Sequence, residues 1–135
     1  MIRLALVLSL LASPAWAAWV VTDGDTIKWC VRGECGERIR IMGLDTPEKG
    51  GLAECLAERL LADQATMFAQ GLVKRIERIE RHGEERPWQK NRKPRTLARI
   101  YLKGGGSWAE AMIAAGLAEP YECPKGKCPR MTEWC

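Results

Sequence analysis

The sequence predicts one α+β domain: a small closed β-barrel of five strands with one long helix, one short helix and a disulfide-stapled C-terminal tail. Three observations predict this fold. The chain has 135 residues, it contains five short strand-like stretches, and a helical pattern lies between the third and fourth of them. The chain is 47% hydrophobic and 28% charged, which excludes wholesale disorder and a low-complexity scaffold. Its net charge of +4 excludes a strongly acidic protein without by itself indicating a nucleic-acid binder.

The N-terminus has the layout of a secretory signal peptide. Arg3 supplies a positive charge, residues 4–11 are an apolar run too short to span a bilayer, and residues 15–17 are a small-x-small cleavage site. An uncleaved anchor and a first core strand are the alternatives. We expect export to a periplasm or the medium, with no stable membrane association after cleavage. The predicted division is a signal peptide at 1–17, a folded domain at 18–121 and a Cys-rich tail at 122–135.

Six cysteines lie beyond the expected cleavage site. An even number in a small exported domain indicates disulfides, whereas zinc is the alternative because two Cys-x4-Cys pairs have plausible ligand spacing. Export favours disulfides. The positions are Cys30, Cys35, Cys55, Cys123, Cys128 and Cys135.

Local geometry narrows the possible pairings. If Arg32-Gly33 is a two-residue turn, Cys30 and Cys35 face each other as a non-hydrogen-bonded pair. The short Cα separation of such a pair suits a cross-strand disulfide. We therefore expect this hairpin to be closed by its own disulfide.

The remaining cysteines form two further candidate pairs. Cys123 and Cys128 flank a turn-rich loop that can also close. Cys55 and Cys135 then remain, and joining them would tie the chain end to the first helix. That bond would close a long loop, for which the chain-entropy stabilisation is largest in theory.

Three strands are expected before the long helix. Residues 19–21 are apolar and β-prone, and residues 27–31 resume a strand after the turn at Asp23-Gly24-Asp25. Residues 38–42 alternate between polar and apolar, which is typical of a strand. Pro47 ends this region.

Residues 52 to about 71 have the pattern of an amphipathic helix. Apolar residues recur at roughly helical spacing, and the acidic residues Glu54, Glu58 and Asp63 lie on the other side. We expect the apolar side to face the core. The apolar positions are Leu52, Cys55, Leu56, Leu60, Ala62 and Met67.

Two more strands and a short helix follow. Residues 73–81 and 96–102 have strand patterns around a polar loop at 82–93. Ser107 and Glu110 fit a capping box that begins a short helix. An order of three strands, a helix, two strands and a helix suits an OB-type barrel better than a sandwich or a doubly wound sheet.

Charge is distributed unevenly. Residues 74–103 hold 11 basic and 4 acidic side chains, whereas residues 18–73 hold 6 basic and 9 acidic ones. This favours a polyanion groove beside a metal site, although Glu77 and Glu80 suit a solvated pair of charged strands. Trp88 is the best candidate for stacking on a base. The candidate nucleic-acid-binding residues are Arg86, Trp88, Lys90, Arg92 and Lys93.

Two segments carry residues suited to phosphate chemistry. Asp23-Gly24-Asp25-Thr26 lies between two strands, and residues 40–48 place an arginine, two carboxylates and a hydroxyl at a strand end and the bend after it. Carboxylates converging from two turns suit a hard divalent cation. An arginine beside them suits a phosphate, which it binds with two donors.

Four blocks of the sequence together resemble the staphylococcal nuclease (thermonuclease) family. They are VVTDGDTIKW, ERIRIMGLDTPE, NRKPRTLARIYL and WAEAMIAAGLA, in the family's order and over most of the chain beyond residue 17. The resemblance implies an OB-type barrel with packed helices. It also implies calcium-dependent hydrolysis of DNA and RNA, leaving 3′-phosphates.

The resemblance extends to individual positions of the implied calcium site. Asp25 and Asp45 match the calcium-binding carboxylates. Thr46 matches the residue that contributes its backbone carbonyl to the metal.

The resemblance also implies three catalytic groups. Glu48 matches the general base that activates or orients water, and Arg40 and Arg95 match the arginines that bind the scissile phosphate. A divalent ion and two guanidinium groups would neutralise the charge that collects on the phosphate oxygens in the transition state.

One segment departs from the family pattern. Residues 91–94 are Asn-Arg-Lys-Pro where the family has an Asp-x-Tyr-Gly type block. This keeps open a nucleic-acid-binding module without catalysis. A non-catalytic OB-type domain that binds a protein or sugar is a third reading. We expect a monomer.

Overall fold

A computed structural model of the chain describes residues 16–85 and 91–135, so residues 1–15 of the signal peptide predicted at 1–17 lie outside the described residues. The helices are α1 (Leu56–Leu72) and α2 (Trp108–Ala114). The strands are β1 (Ala17–Asp23), β2 (Thr26–Val31), β3 (Glu34–Ile41), β4 (Gly43–Asp45), β5 (Ile76–Glu85), β6 (Arg95–Leu102) and β7 (Glu119–Tyr121). None of the helices in these ranges has the length and apolarity needed to cross a membrane.

The main sheet confirms the predicted α+β, OB-type fold. Its strand order is β1-β2-β3-β6-β5, and a second sheet pairs β4 with β7. Neighbours in the main sheet are antiparallel except β3 and β6, which are parallel. The prediction of a closed barrel is wrong: over the described ranges, β1 and β5 are edge strands with no ladder between them. Helix α1 packs beside β1, so a helix rather than a strand covers this edge.

The β2–β3 hairpin forms as predicted. Arg32 and Gly33 have φ angles of 51° and 82°, the positive values of a two-residue turn that matches strand twist. Cys30 pairs with Cys35 in the ladder, and the two are joined by a disulfide with a Cα separation of 4.0 Å.

The other two predicted disulfides are also confirmed. Cys123 is joined to Cys128, and Cys55 to Cys135. All six cysteines are therefore paired, which excludes the zinc alternative in this structure. The Cys55–Cys135 bond connects the residue before α1 to the last residue of the chain.

The hydrophobic core lies between the main sheet and the two helices. The β-strands contribute branched side chains from alternate positions, and α2 contributes Trp108, whose side chain is fully buried. The largest buried core side chains are Trp108, Ile27, Ile39, Ile41, Leu44, Ile100, Leu102 and Met112.

The predicted core face of the long helix is wrong apart from Ala62, which is 1% exposed. Leu56, Leu60 and Met67 are 67%, 53% and 70% exposed. The helix instead buries small residues, which let its backbone lie close to the sheet. Periodicity weighted towards large side chains therefore selected the wrong face. The buried residues of α1 are Glu58, Ala62, Ala65, Thr66, Ala69 and Leu72.

Several boundaries also differ from prediction. Cys55 is the N-cap of α1, so the helix begins at Leu56 rather than at 52. Residues 73–75 form a 3₁₀ turn, and β5 continues to Glu85 through an irregularity around Gly83, whose φ is 95°. The predicted loop therefore begins later than 82. The short strands β4 and β7 were not predicted, whereas the Ser107–Glu110 capping box is confirmed.

Candidate active site

The β1–β2 turn is packed tightly against the start of the loop after β4. A Cβ atom on Gly24 would lie 2.9 Å from Cγ2 of Thr46, so only glycine fits without movement. Trp108 Nε1 donates to the Gly24 carbonyl at 2.9 Å. These contacts fix the turn that carries Asp25 beside the segment that carries Thr46.

Arg40, near the end of β3, connects that turn to β4. Its Nη1 lies 2.5 Å from Asp25 Oδ2, and both side chains are nearly buried, at 11% and 13% exposure. The same guanidinium donates to the carbonyls of Ile41 and Leu44 at 3.3 and 3.4 Å. Arg40 is thus held in one orientation by three acceptors.

Arg95, the first residue of β6, reaches the same turn from the other side. It donates through Nε and Nη2 to Glu85 Oε2 at 2.7 and 2.6 Å, and through Nη1 to Thr26 Oγ1 at 3.4 Å. Thr26 in turn donates to Asp25 Oδ1 at 2.9 Å. Arg40 and Arg95 are therefore linked through the Asp25 carboxylate and the Thr26 hydroxyl.

Asp45 and Thr46 lie at the end of β4 and are 1% and 3% exposed. Asp45 Oδ2 accepts a hydrogen bond from the backbone N–H of Thr132 at 2.9 Å. Asp45 Oδ1 is buried and has no hydrogen-bond partner among the described residues. An unpartnered buried carboxylate oxygen is costly unless a cation compensates it.

Glu48 lies at the exposed rim of this cluster. Its backbone N–H donates to Glu58 Oε1 at 3.0 Å. Partial burial, followed by the negative charges of Asp25, Asp45 and Glu58, raises the pKa of the Glu48 carboxyl, and Arg40 opposes the rise. A carboxylate with a raised pKa is a better proton acceptor than an ordinary one.

Asp23 adds another carboxyl with a raised pKa to the cluster. Burial, with the nearby Asp25 charge as the next cause, raises the pKa of Asp23 to about 7. The site therefore crowds acidic groups together in a partly dry environment.

The donor set fits a hard divalent cation. Asp25, Asp45 and Thr46 offer oxygen donors, and the orphaned Oδ1 of Asp45 is the observation that favours a cation there. Over 16–85 and 91–135, no group of three or more His, Cys, Asp or Glu side chains is arranged to hold a metal ion. A cation here would therefore need the Thr46 backbone carbonyl or water besides the two carboxylates.

The basic stretch 74–103, predicted to form a polyanion groove, is partly neutralised by ion pairs. Arginines of β5 and β6 are paired with carboxylates rather than left for a polyanion, as the solvated-strand alternative expects. Arg92 and Lys93 are exposed and form no ion pair within the described part of the chain. Arg86, Trp88 and Lys90 lie outside it. The four ion pairs are Arg78–Glu80, Arg81–Glu37, Arg95–Glu85 and Arg99–Glu122.

Sequence reasoning missed three contributors to the site. Glu58 was placed on the solvent side of α1, yet it is 4% exposed and holds the Glu48 loop. Glu85 was placed in a loop, and Thr132 in an irregular tail. No local pattern marks Glu85 or Thr132, whereas an acid three residues after the N-cap Cys55 was a visible signal for Glu58.

A comparison with protein families gives a match over most of the chain. The model described as staphylococcal nuclease homologue matches residues 38–133, more than two thirds of the chain. The match includes Arg40, Asp45, Thr46, Glu48 and Arg95. Among curated proteins, none matches the chain. The chain therefore belongs to the staphylococcal nuclease homologue family.

Proposed function

We propose that this protein is an exported, calcium-dependent nuclease that hydrolyses phosphodiester bonds of DNA and RNA and leaves 3′-phosphates. The family is one of nucleases, which supports nucleic acid as the substrate. One observation carries the proposal: Arg40 binds Asp25 directly and Arg95 is linked to it through Thr26. Close by, the buried Asp45 has a carboxylate oxygen with no partner among the described residues.

The proposed metal site consists of Asp25, Asp45 and the Thr46 carbonyl. Calcium prefers oxygen ligands and accepts flexible geometry, so carboxylates from two separate turns suit it. When bound, the ion would supply positive charge that stabilises the phosphate oxygens in the transition state.

The two arginines are the proposed phosphate ligands. Each guanidinium has fixed partners in the protein, Asp25 for Arg40 and Glu85 for Arg95. These partners orient the planar groups before substrate arrives, so less ordering remains to be done in the transition state. Their remaining donors would bind the non-bridging oxygens of the scissile phosphate.

Glu48 is the proposed general base. The backbone bond to Glu58 holds its position at the rim, where water and substrate have access. A neighbouring carboxylate can take the proton of the attacking water while the arginines hold the phosphate. Its crowded acidic environment, which raises the pKa, favours that proton transfer.

Binding of the nucleic-acid chain is assigned to the basic loop before β6. Arg92 and Lys93 are exposed there, and we extend the assignment to Arg86, Trp88 and Lys90. The proposed arginine and calcium contacts are to the phosphate, which DNA and RNA share, so both are proposed substrates.

Export is supported by the cysteine chemistry. Three disulfides cross-link the chain, and such bonds persist in oxidising compartments. We propose cleavage of the leader after Ala17, release of the domain 18–121 with its tail 122–135, and action as a monomer.

A second candidate function is nucleic-acid binding without catalysis. The unusual residues 91–94, which precede Arg95, favour it. The complete set of Arg40, Glu48 and Arg95 around Asp25 favours the nuclease.

A cleavage assay separates the two functions. The oxidised protein is incubated with single-stranded DNA or RNA in calcium, magnesium or a chelator. We expect cleavage with calcium and none with the chelator. A folded protein that binds both nucleic acids in a salt-sensitive way but cleaves neither would overturn the nuclease and support the binding module.

A further inference from the structure

Glu58 is a buried carboxylate whose two oxygens both serve the loop before α1. Oε1 accepts the backbone N–H of Glu48 at 3.0 Å, and Oε2 accepts that of Glu54 at 2.7 Å. Only 4% of the residue is exposed. One side chain therefore fixes both ends of the segment 48–54, which begins with the proposed general base.

The end of the chain lies against the same cluster. The backbone N–H of Thr132 donates to Asp45 Oδ2 at 2.9 Å. Three residues later, Cys135 is bonded to Cys55, and its Sγ lies 3.9 Å from Glu58 Oε2. The disulfide thus holds the tail where it contacts both Asp45 and Glu58.

These contacts have a shared physical logic. A buried carboxylate costs free energy, so Glu58 is a poor choice for helix stability alone. Its cost is offset by two charge-assisted bonds, and both fix backbone beside the site. Likewise, the Thr132 bond occupies one oxygen of Asp45 and fixes its rotamer, leaving the other oxygen for a cation. Such outer contacts orient metal ligands in many proteins.

We propose that Glu58 and the C-terminal tail form a positioning clamp for the active site, held shut by the Cys55–Cys135 disulfide. Glu58 sets the place of Glu48, and the Thr132 backbone sets the orientation of Asp45. The clamp rests on the proposed nuclease function for its catalytic consequence. Its effects on calcium affinity and on loop order do not depend on turnover.

The Thr132 half of the clamp is tested by removing the backbone N–H that binds Asp45. Thr132→Pro lacks the backbone donor, whereas the matched control Thr132→Ala keeps it. We expect calcium affinity, measured calorimetrically without substrate, to fall about 10- to 100-fold in the proline variant only. Equal affinity in the two variants would overturn this half.

The Glu58 half is tested by Glu58→Gln, which keeps the shape but replaces one acceptor oxygen with an amide donor. Asp63→Asn removes the same charge from an exposed position of α1 and is the control. We expect kcat to fall about tenfold or more with KM unchanged, because a displaced base affects the transition state. Hydrogen exchange at 48–54 should also quicken. An unchanged kcat and exchange rate would overturn this half.

The disulfide is tested by a double substitution, Cys55→Ser with Cys135→Ser. The control removes Cys30–Cys35 in the same way, because that bond lies in the β2–β3 hairpin. We expect weaker calcium binding and faster exchange at 48–54 only when Cys55–Cys135 is removed. Equal effects of both double variants would overturn the role of this disulfide, and if either variant fails to fold, Thr132→Pro and Glu58→Gln decide the question.

Failure of the clamp is distinguishable from failure of the proposed function. A wild-type protein that binds calcium but cleaves neither DNA nor RNA overturns the nuclease. In that case, the calcium affinities of the Thr132 variants and the exchange rates of the Glu58 variant still support or overturn the clamp.

Discussion

The carboxylates of the site and those at the β5 side of the sheet have opposite environments. In the site, burial raises the pKa of Asp23 to about 7, and burial together with Asp25, Asp45 and Glu58 raises that of Glu48. Each of these acids is crowded by other acids. Their charged forms are therefore disfavoured in the protein alone.

At the β5 side, by which we mean the exposed ion pairs Arg81–Glu37 and Arg78–Glu80, each carboxylate has a guanidinium partner. Arg81 donates two hydrogen bonds to Glu37, at 3.0 and 2.6 Å, and these bonds lower the pKa of Glu37. Arg78 likewise lowers the pKa of Glu80.

The difference indicates where an added cation would be favourable. Glu37 and Glu80 would gain little from an added ion, since each already has a guanidinium partner. The site holds Asp23, Asp25, Asp45 and Glu48 around one closely bound guanidinium, that of Arg40. A divalent cation would relieve this repulsion.

The largest expected effect comes from Glu48→Gln. Removing the general base should lower kcat about 10²- to 10⁴-fold, with KM little changed, because the group acts mainly in the transition state. Steady-state kinetics on single-stranded DNA with calcium measures it. Glu80→Gln, at the β5 side, is the control and should leave kcat intact. A parallel loss in kcat and affinity for Glu48→Gln would argue against the base role.

Arg40→Lys should be the next most damaging change. An ammonium group cannot reproduce the fork that binds Asp25 and would bind phosphate, so kcat/KM should fall about 10²- to 10³-fold. The matched control is Arg81→Lys, which breaks an equally short pair at the sheet edge. If both lysine variants lose activity to the same extent, the distinction between the two regions is wrong.

Asp23→Asn should stabilise the calcium-free protein at neutral and higher pH. The folded-state pKa of about 7 exceeds the ordinary 3.8, so the wild-type fold loses stability as pH rises between these values. The gain at pH 8 is on the order of 4 kcal/mol at most, and it should vanish near pH 4. Denaturant unfolding in a chelator at both pH values measures it. A gain that is equal at both pH values would contradict the assignment.

Glu37→Gln should have the smallest effect and the opposite pH dependence. The lowered pKa of Glu37 means that its pairing stabilises the fold above pH 4.5 and that this contribution is lost as pH falls through the folded-state pKa. Because the pair is largely exposed, the loss at pH 7 should be below about 1 kcal/mol. Thermal unfolding at pH 7 and pH 3 checks it. Greater destabilisation at pH 3 would contradict this sign.

Features set by neighbouring residues were predicted well from the sequence. The Arg32-Gly33 turn placed Cys30 against Cys35, and the Ser107–Glu110 capping box began α2. Both depend on bonds within a few residues. The conformations that satisfy such bonds can be identified without the rest of the fold.

Features set by packing between distant parts of the chain were not predicted from the sequence. The buried face of α1 consists of alanines and Glu58, because the helix lies close to the sheet, and no periodicity of large residues indicates that. Most residues of the site came from two local motifs, and Arg95 came from the family resemblance. The contacts that hold them were not predicted: Glu85 binds Arg95 across the β5–β6 ladder, and Thr132 binds Asp45 from 87 residues away. Tertiary structure alone brings these groups together.

The central claim is that the acidic cluster binds a cation that the β5 side does not need. Calorimetric titration of the substrate-free protein with calcium tests it most directly, with Asp45→Asn and Glu37→Gln measured alongside. We predict one calcium site in the wild type, loss of that site in Asp45→Asn and its retention in Glu37→Gln. Absence of binding by the folded wild type, or undiminished binding by Asp45→Asn, would contradict it.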